Sequence, residues 1–195
     1  ASDLPASTIC CYPAGDAFAE AHADAILSAW RGGGSPPNPR VLFSAHGLPQ
    51  RVIDRGDPYQ WQVERTAEAV RAKLPAGWQT RICYQSRVGP LKWIGPSTEH
   101  EIKAAAQDGV GLIVSPIAFV SEHIETLVEL DMDYSQRAKA WGAPFYLRAP
   151  ALGCAPRFID ALADLAERAM AAPGKVLSES GKRICPASCR LCLQA

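Results

Sequence analysis

The sequence lacks the features that point to nucleic acid or to a membrane span. Its 195 residues carry 20 basic and 20 acidic side chains, so no net charge marks it as a nucleic-acid binder. No apolar run approaches the ~20 residues that a transmembrane helix needs. No signal peptide and no internal repeat are recognisable. We therefore expect a globular cytoplasmic protein that does not bind nucleic acid.

The composition and length fit one folded domain with an appended tail. Hydrophobic residues make up 48% of the chain, which is enough to build a packed core. We predict that the domain spans residues 1–172. Residues 173–195 show no amphipathic period and are predicted to form an irregular, cysteine-rich tail. Such a tail needs a tether to be ordered, and its cysteines could supply one.

Apolar runs and helical patterns alternate along the chain. Short apolar runs predict buried strands over residues 40–45, 80–84, 110–116 and 144–148. Apolar residues at helical spacing predict helices over residues 16–30, 58–74, 97–107, 121–140 and 156–171. The alternation predicts an α/β fold with a four-stranded parallel sheet flanked by helices.

Polar clusters follow three of the predicted strands. His46 comes directly after the first strand, Gln85 and Ser86 follow the second, and Glu122 and His123 come shortly after the third. In open α/β sheets, ligands bind beyond the carboxyl ends of the strands, so all three clusters should lie on the binding edge. A single histidine at a strand end is more often held by the backbone than functional, but this position favours a functional His46.

A row of acidic residues opens the long predicted helix. Glu122, Glu125 and Glu129 are spaced by three and four residues and so share one helix face, with His123 beside it. Carboxylates and an imidazole in this pattern suit a divalent cation or the shuttling of protons. A solvated acidic first turn that complements the helix dipole is the alternative. That alternative explains Glu122 but not Glu129, which lies a full turn deeper.

The chain has seven cysteines, and three of them form the closely spaced pattern Cys185-x3-Cys189-x2-Cys192 in the tail. The odd total and the α/β pattern disfavour a secreted disulfide framework. Close thiols of this kind bind zinc or an iron–sulfur cluster, and either metal site needs a fourth ligand. The spacing alone leaves both metals open.

We expect the fourth ligand to come from the body of the protein. Cys154 starts the last predicted helix, and the tail is long enough to fold back along that helix toward it. Cys10 or Cys11 is the second choice. Cys83 falls within a strand, where a small core residue is expected.

Three segments carry a resemblance to a known family. They are VLFSAHGLPQRVIDRGDPY at residues 41–59, YQSRVGPLKWIGP at residues 84–96 and PIAFVSEHIETLVELDMDY at residues 116–134. In order and spacing they resemble signature segments of ferrochelatases, and the resemblance runs from about Ser7 to Leu165. The family fold has two Rossmann-like, chelatase-type halves that hold a porphyrin between them, and this chain resembles the second half.

The resemblance implies an activity and a set of partners. A ferrochelatase is a lyase-class enzyme that inserts ferrous iron into protoporphyrin IX to form protohaem, the last step of haem biosynthesis. The N-terminal half is then the expected partner, a homodimer is a second arrangement, and peripheral contact with the inner membrane is expected through an apolar lip. The alternatives are a related tetrapyrrole cobalt chelatase and an inactive porphyrin-binding half-enzyme. We expect the chain alone to fold but to be inactive or nearly so.

The resemblance also implies roles for individual residues. His46 matches the histidine that accepts pyrrole protons or binds the metal, and Glu125 matches the acidic residue that faces it. The remaining matches are, on the iron or proton route, Glu122, His123 and Glu129, and, in the porphyrin pocket, Trp93, Gln85 and Ser86. The tail resembles that of ferrochelatases with a 2Fe–2S cluster. We therefore expect such a cluster, with zinc as the alternative, on Cys154, Cys185, Cys189 and Cys192.

Overall fold

A four-stranded parallel sheet forms the centre of the computed structural model, which describes residues 6–194. Its strands are β2 (Arg40–His46), β3 (Gln79–Gln85), β4 (Leu112–Pro116) and β5 (Tyr146–Arg148), arranged in the order β3-β2-β4-β5. The predicted α/β class and all four predicted strands are confirmed. Residues 1–5 and 195 of the predicted domain and tail lie outside the described residues.

Side chains of the central strand β2 alternate between two cores. Val41, Phe43 and Ala45 pack beneath helices α1 (Asp16–Gly32) and α3 (Tyr59–Arg71). Leu42 points to the opposite face. There it packs under α4 (Thr98–Gln107) and α5 (Ser135–Ala140). Each fully buried Val, Leu or Phe side chain contributes roughly 1.5–3 kcal/mol, so the sheet is stabilised from both faces.

The long helix predicted over residues 121–140 is shorter at its start and differs in type. It is a π-helix over Glu125–Tyr134, continued by α5. Glu122 therefore precedes the helix and does not share a face with Glu125 and Glu129, which corrects the sequence-based interpretation. A π-helix pairs residues five apart, so one extra residue fits in each turn. Such helices occur often at functional sites.

The tail is more regular than its sequence predicts. Strand β1 (Thr8–Cys11) pairs in parallel with β6 (Val176–Ser178), which follows helix α6 (Pro156–Met170). Just beyond β6, the Glu179 carboxylate accepts the Ala14 N–H at 3.0 Å, next to the start of α1. Both contacts fasten the tail to the N-terminal part of the domain.

A short helix, α2 (Gln50–Asp54), follows His46 and was not predicted. Ser97 caps α4 by accepting the His100 N–H at 3.2 Å. No helix within the described residues is long and apolar enough to cross a membrane.

Candidate functional site

A cavity of about 700 Å³ lies beyond the carboxyl end of β3, at one edge of the sheet. This volume lies in the range of roughly 300–1,000 Å³ that is usual for small-molecule sites. The loop after β3 forms one side of the cavity and the π-helix forms the other. Its lining includes Ser86, Arg87, Val88, Leu91, Trp93, Glu99, Glu125, Glu129, Asp133, Tyr134 and Arg137.

His46 is the last residue of β2, and a backbone contact holds one nitrogen of its ring and leaves the other available to accept a proton. Its Nδ1 lies 2.7 Å from the carbonyl oxygen of Gly47. A carbonyl only accepts, so Nδ1 carries the proton and Nε2 of the neutral ring keeps its lone pair. Nε2 lies 3.6 Å from Oε2 of Glu125, and both side chains are 39% exposed. The pair combines a base with a carboxylate that can stabilise its protonated form.

Gly47 lets the site close tightly around His46. A Cβ on this residue would lie 2.8 Å from the carbonyl oxygen of Gln85 and 3.4 Å from the ring of Trp93. Only glycine allows the backbone to approach Gln85 this closely. Trp93 lines the cavity and lies against this backbone, so the sequence-predicted aromatic wall adjoins the His46 segment.

Glu129 lines the same cavity with a carboxylate that accepts four hydrogen bonds. Oε1 accepts from the Ser86 N–H at 2.9 Å and from the Tyr134 hydroxyl at 2.8 Å. Oε2 accepts from the Ser86 hydroxyl at 2.5 Å and from the Gln85 amide at 3.1 Å. Ser86 adopts the left-handed conformation, with φ at 59°, which is uncommon outside glycine. Glu129 therefore fastens the loop after β3 in a strained shape.

Gln85 lies beneath the cavity and joins its two sides. Its side chain is 1% exposed and accepts a hydrogen bond from the Ser44 hydroxyl at 2.8 Å. Its amide donates to the backbone carbonyl of Glu125 at 3.0 Å as well as to Glu129. Gln85 thus supports the π-helix and does not itself form the cavity surface.

Glu122 is not brought to the cavity. Its carboxylate pairs with Arg148 at 2.8 Å, accepts the Ala151 N–H at 2.8 Å and accepts the Thr126 hydroxyl at 2.6 Å. Burial raises the pKa of Glu122, but the hydrogen bonds from Thr126 and Arg148 outweigh burial and leave the pKa lowered. These contacts make Glu122 an anchor for the start of the π-helix.

His123 lies between the two acidic residues in sequence but faces the local backbone. Its Nδ1 accepts the N–H of Glu125 at 3.2 Å, and its ring packs at a tilt of 48° against that of Phe119, with 5.0 Å between the ring centroids. Phe119 also lies 6.4 Å from the His46 ring. The two imidazoles therefore flank one phenyl ring.

Several residues of the site were missed in the sequence. Asp133 continues the four-residue spacing of Glu125 and Glu129 and could have been found from it. Tyr134 carries no such signal, because its role depends on a hydrogen bond to Glu129 across the π-helix. Burial, and then that hydrogen bond, raises the pKa of Tyr134, which keeps its hydroxyl a donor.

The three tail cysteines meet Cys11 rather than Cys154. Cys11, Cys185, Cys189 and Cys192 are 9%, 5%, 6% and 7% exposed and pack together, and we call this group the thiol cluster. Cys154 is exposed and lies outside the cluster, which corrects the expected ligand set.

The thiol cluster has a fifth cysteine at its edge. Cys10 packs against it, with its sulfur 3.4 Å from that of Cys11. Burial raises the pKa of Cys11, Cys185 and Cys189. Within residues 6–194, no group of three or more His, Cys, Asp or Glu side chains is arranged to hold a metal ion. The thiols are gathered but do not have the arrangement that one metal ion requires.

Comparisons with known proteins agree on one family. The family model described as Ferrochelatase matches residues 1–170. The chain is 54% identical over 181 residues to the ferrochelatase of Phenylobacterium zucineum, covering 93% of this chain and 52% of that protein. The ferrochelatase of Caulobacter vibrioides is 56% identical over 91% of this chain, which corresponds to 51% of that protein. The ferrochelatase of Rickettsia typhi is 43% identical over 98% of this chain, which corresponds to 55% of that protein. The chain thus spans about half the length of these relatives.

Proposed function

This chain belongs to the ferrochelatase family, and we propose that it forms one wall of a site that inserts ferrous iron into protoporphyrin IX. The reaction exchanges one Fe²⁺ for the two pyrrole N–H protons and yields protohaem. A base must collect those protons, and the iron must reach the ring nitrogens. The carboxyl edge of the sheet carries groups suited to both tasks, with His46 at the end of β2 and the carboxylates in the lining of the cavity.

The observation that carries this proposal is the state of the His46 ring. Its Nδ1 proton is held by the Gly47 carbonyl, so the Nε2 lone pair is available to a pyrrole N–H. A proton on Nε2 would then face the Glu125 carboxylate, whose oxygen lies 3.6 Å away. That carboxylate stabilises the imidazolium and can take the proton onward. His46 can then accept the second proton.

The remaining carboxylates have separate tasks in this proposal. Glu125 and Asp133 line the cavity and can exchange the water around an incoming Fe²⁺ for carboxylate oxygens. The oxygens of Glu129 already accept four hydrogen bonds and hold Gln85 and Ser86 in place. Glu129 therefore takes no part in the exchange of iron-bound water. Glu122 is left out of the route because Arg148 and Thr126 occupy its oxygens.

Apolar side chains on the cavity wall suit a porphyrin. Val88 and Leu91 line the cavity and remain 75% and 45% exposed, beside the Trp93 ring. A flat macrocycle would cover these surfaces and remove them from water. The other apolar wall would come from the complementary half of the enzyme, since the relatives are about twice as long as this chain. We propose a cytoplasmic location, with peripheral membrane contact.

The thiol cluster fits a 2Fe–2S group by its donors. Four buried thiols supply the Cys₄ set that such clusters use, and we propose Cys11, Cys185, Cys189 and Cys192 as the ligands. When bound, the 2Fe–2S group would link the N-terminal strand to the tail and absorb visible light. Zinc accepts the same donor set and is the competing metal.

The function is tested by supplying the chain with its substrates. Purified chain is incubated anaerobically with Fe²⁺ and protoporphyrin IX, with and without a separately produced N-terminal half from the Caulobacter relative. We expect haem to form only when both halves are present. Porphyrin binding without haem formation in the mixture would contradict the catalytic proposal. Light scattering in the same samples separates a complex of two halves from a dimer of this chain.

A further inference from the structure

One stretch of chain, residues 47–62, connects His46 to the thiol-bearing tail. It starts directly after His46, passes through α2 and ends in the first turn of α3. We infer that Tyr59 is a positioning residue for His46 and that the docked tail holds Tyr59 in place. The inference rests on the proposed function only in taking His46 as the reactive base.

Tyr59 fixes the backbone of His46. Its hydroxyl donates to the His46 carbonyl oxygen at 3.0 Å, while the N–H of the same peptide, on Gly47, donates to the Gln85 carbonyl at 2.8 Å. Burial raises the pKa of Tyr59 to about 12, so the hydroxyl remains a donor at neutral pH. The peptide that joins His46 to Gly47 is thus held at both its polar groups. Its placement decides where the His46 ring points.

The tail docks on the loop just before Tyr59. The N–H of Leu191 donates to the Gly56 carbonyl at 3.0 Å. Gly56 has a φ of +98°, and a Cβ there would lie 2.8 Å from the Arg190 nitrogen and 3.1 Å from the Ser188 oxygen. Any other residue at position 56 would strain the backbone and push the tail away.

The tail also contacts α3 just after Tyr59. Trp61 packs against the thiol cluster, and the Gln62 amide donates to the sulfur of Cys185 at 3.6 Å. Asp57 holds the turn itself by accepting the Tyr59 N–H at 2.8 Å. Tail contacts therefore flank Tyr59 on both sides along the chain. Release of the tail would remove both and let the Tyr59 hydroxyl leave the His46 carbonyl.

The consequence for catalysis is a loss of alignment without a loss of binding. A displacement of about 1 Å in a reactive group can lower turnover by roughly 10²-fold. We expect Tyr59→Phe and release of the tail to lower kcat on the order of 10–10²-fold and to leave the KM for porphyrin nearly unchanged. A purely structural role would lower the amount of folded enzyme instead, with kcat per folded molecule preserved.

The direct test follows the His46 ring by NMR in the 195-residue chain with labelled histidines. The chain has four histidines, so each signal can be assigned by a single substitution. Gly56→Ala is compared with Gly77→Ala, because Gly77 also has a positive φ of +89° but a Cβ there meets nothing within 4 Å. Both variants strain the backbone at a positive φ, but only Gly56→Ala disturbs the contact with the tail.

We expect the His46 signal to move beyond its line width in Gly56→Ala and in Tyr59→Phe, and to stay in place in Gly77→Ala. An unchanged His22 signal reports that the fold is intact. If Gly56→Ala does not fold, Leu191→Pro removes the N–H that binds Gly56 and decides the role of the tail. A His46 signal that coincides with the parent in Tyr59→Phe and in a folded tail variant would overturn the inference. The His46 signal can be measured without catalytic turnover, so the result does not depend on whether the proposed function is correct.

Discussion

The imidazole of His46 and the carboxylate of Glu125 face each other at 3.6 Å, one at the end of a strand and the other at the start of a π-helix. Backbone contacts on each side set this distance. The Gly47 carbonyl holds the His46 ring, and the Gln85 amide holds the backbone carbonyl of Glu125. Neither side chain is deeply buried, so substitutions here should change turnover before they change stability.

Glu125→Gln is expected to lower the rate of haem formation by roughly 10²–10⁴-fold, because it removes the group that receives the proton from His46. Porphyrin affinity and the free energy of unfolding should stay close to those of the parent. Initial rates of haem formation, with porphyrin binding followed by fluorescence quenching, give both quantities.

The matched control is Glu122→Gln, which should act on stability instead. The amide keeps a single acceptor oxygen and cannot serve both Arg148 and Thr126, so the variant should lower the unfolding free energy by about 1–3 kcal/mol at neutral pH. Because the pKa of Glu122 is lowered, this contribution is present above the ordinary carboxyl pKa and disappears as the pH falls through the lowered value. Equal losses of turnover in Glu125→Gln and Glu122→Gln would contradict this assignment and indicate that Glu122 takes part in the reaction.

Glu129→Ala should destabilise the domain by about 2–4 kcal/mol, because it leaves the donors of Gln85, Ser86 and Tyr134 without their acceptor. Glu125→Ala, one turn earlier, should cost less than about 1 kcal/mol, since it removes no comparable set of bonds. Urea unfolding of both variants measures the difference. Similar values for the two would contradict a supporting role for Glu129.

His22 makes the fold sensitive to acid. It is 1% exposed, its Nε2 has no hydrogen-bond partner among the described residues, and burial lowers its pKa from 6.5 to about 4. The folded state therefore favours the neutral ring. Above pH 6.5, His22 is neutral in both the folded and the unfolded state and does not reduce stability. As the pH drops to 4, the unfolded chain takes up a proton on His22 first, and the free energy of unfolding falls by roughly 3 kcal/mol.

His22→Leu should remove that dependence, so the stability difference between variant and parent should grow in favour of the variant as the pH falls from 7 to 4. Denaturant unfolding at each pH measures the difference and cancels the effects of other groups. A difference that is constant over this range would show that His22 does not titrate as its burial requires.

Anaerobically purified protein should absorb in the visible region, and Cys11→Ser should abolish that absorbance while Cys154→Ser preserves it. The reason is that Cys11 packs with the tail thiols and Cys154 is exposed elsewhere. Cys10→Ser serves as the matched control beside Cys11. A colourless protein with stoichiometric zinc would exclude the iron–sulfur cluster, and bleaching by Cys154→Ser alone would exclude the proposed ligand set.

The sheet and its functional edge could be predicted because they depend on local patterns. Buried runs such as residues 40–45 mark central strands, and the parallel arrangement then brings His46 and Gln85 to the same edge. The type of the helix at Glu125–Tyr134 could not be predicted, since its hydrogen-bond register leaves no trace in the apolar spacing. Glu122 was misplaced because the helix begins after it, later than the apolar spacing indicates.

The error at Cys154 has a tertiary cause. The tail does run back beside α6, since Arg168 of that helix donates to the Glu179 carbonyl oxygen, but β6 also pairs in parallel with β1, with Cys11 opposite Ser178. Parallel pairing carries both chains toward the same end, so the tail continues toward Cys11. Strands of four and three residues have too few side chains to show an alternating pattern, and the sequence therefore did not indicate this pairing.

The most direct test compares His46→Ala with His100→Ala in the complex of the two halves, supplied with Fe²⁺ and protoporphyrin IX. His100 lies exposed in α4 and serves as the control for loss of an imidazole. We expect His46→Ala to bind porphyrin with unchanged affinity but to form no measurable haem, while His100→Ala keeps the parent rate. Haem formation by His46→Ala at a rate close to that of the parent would contradict the role of His46 as the base.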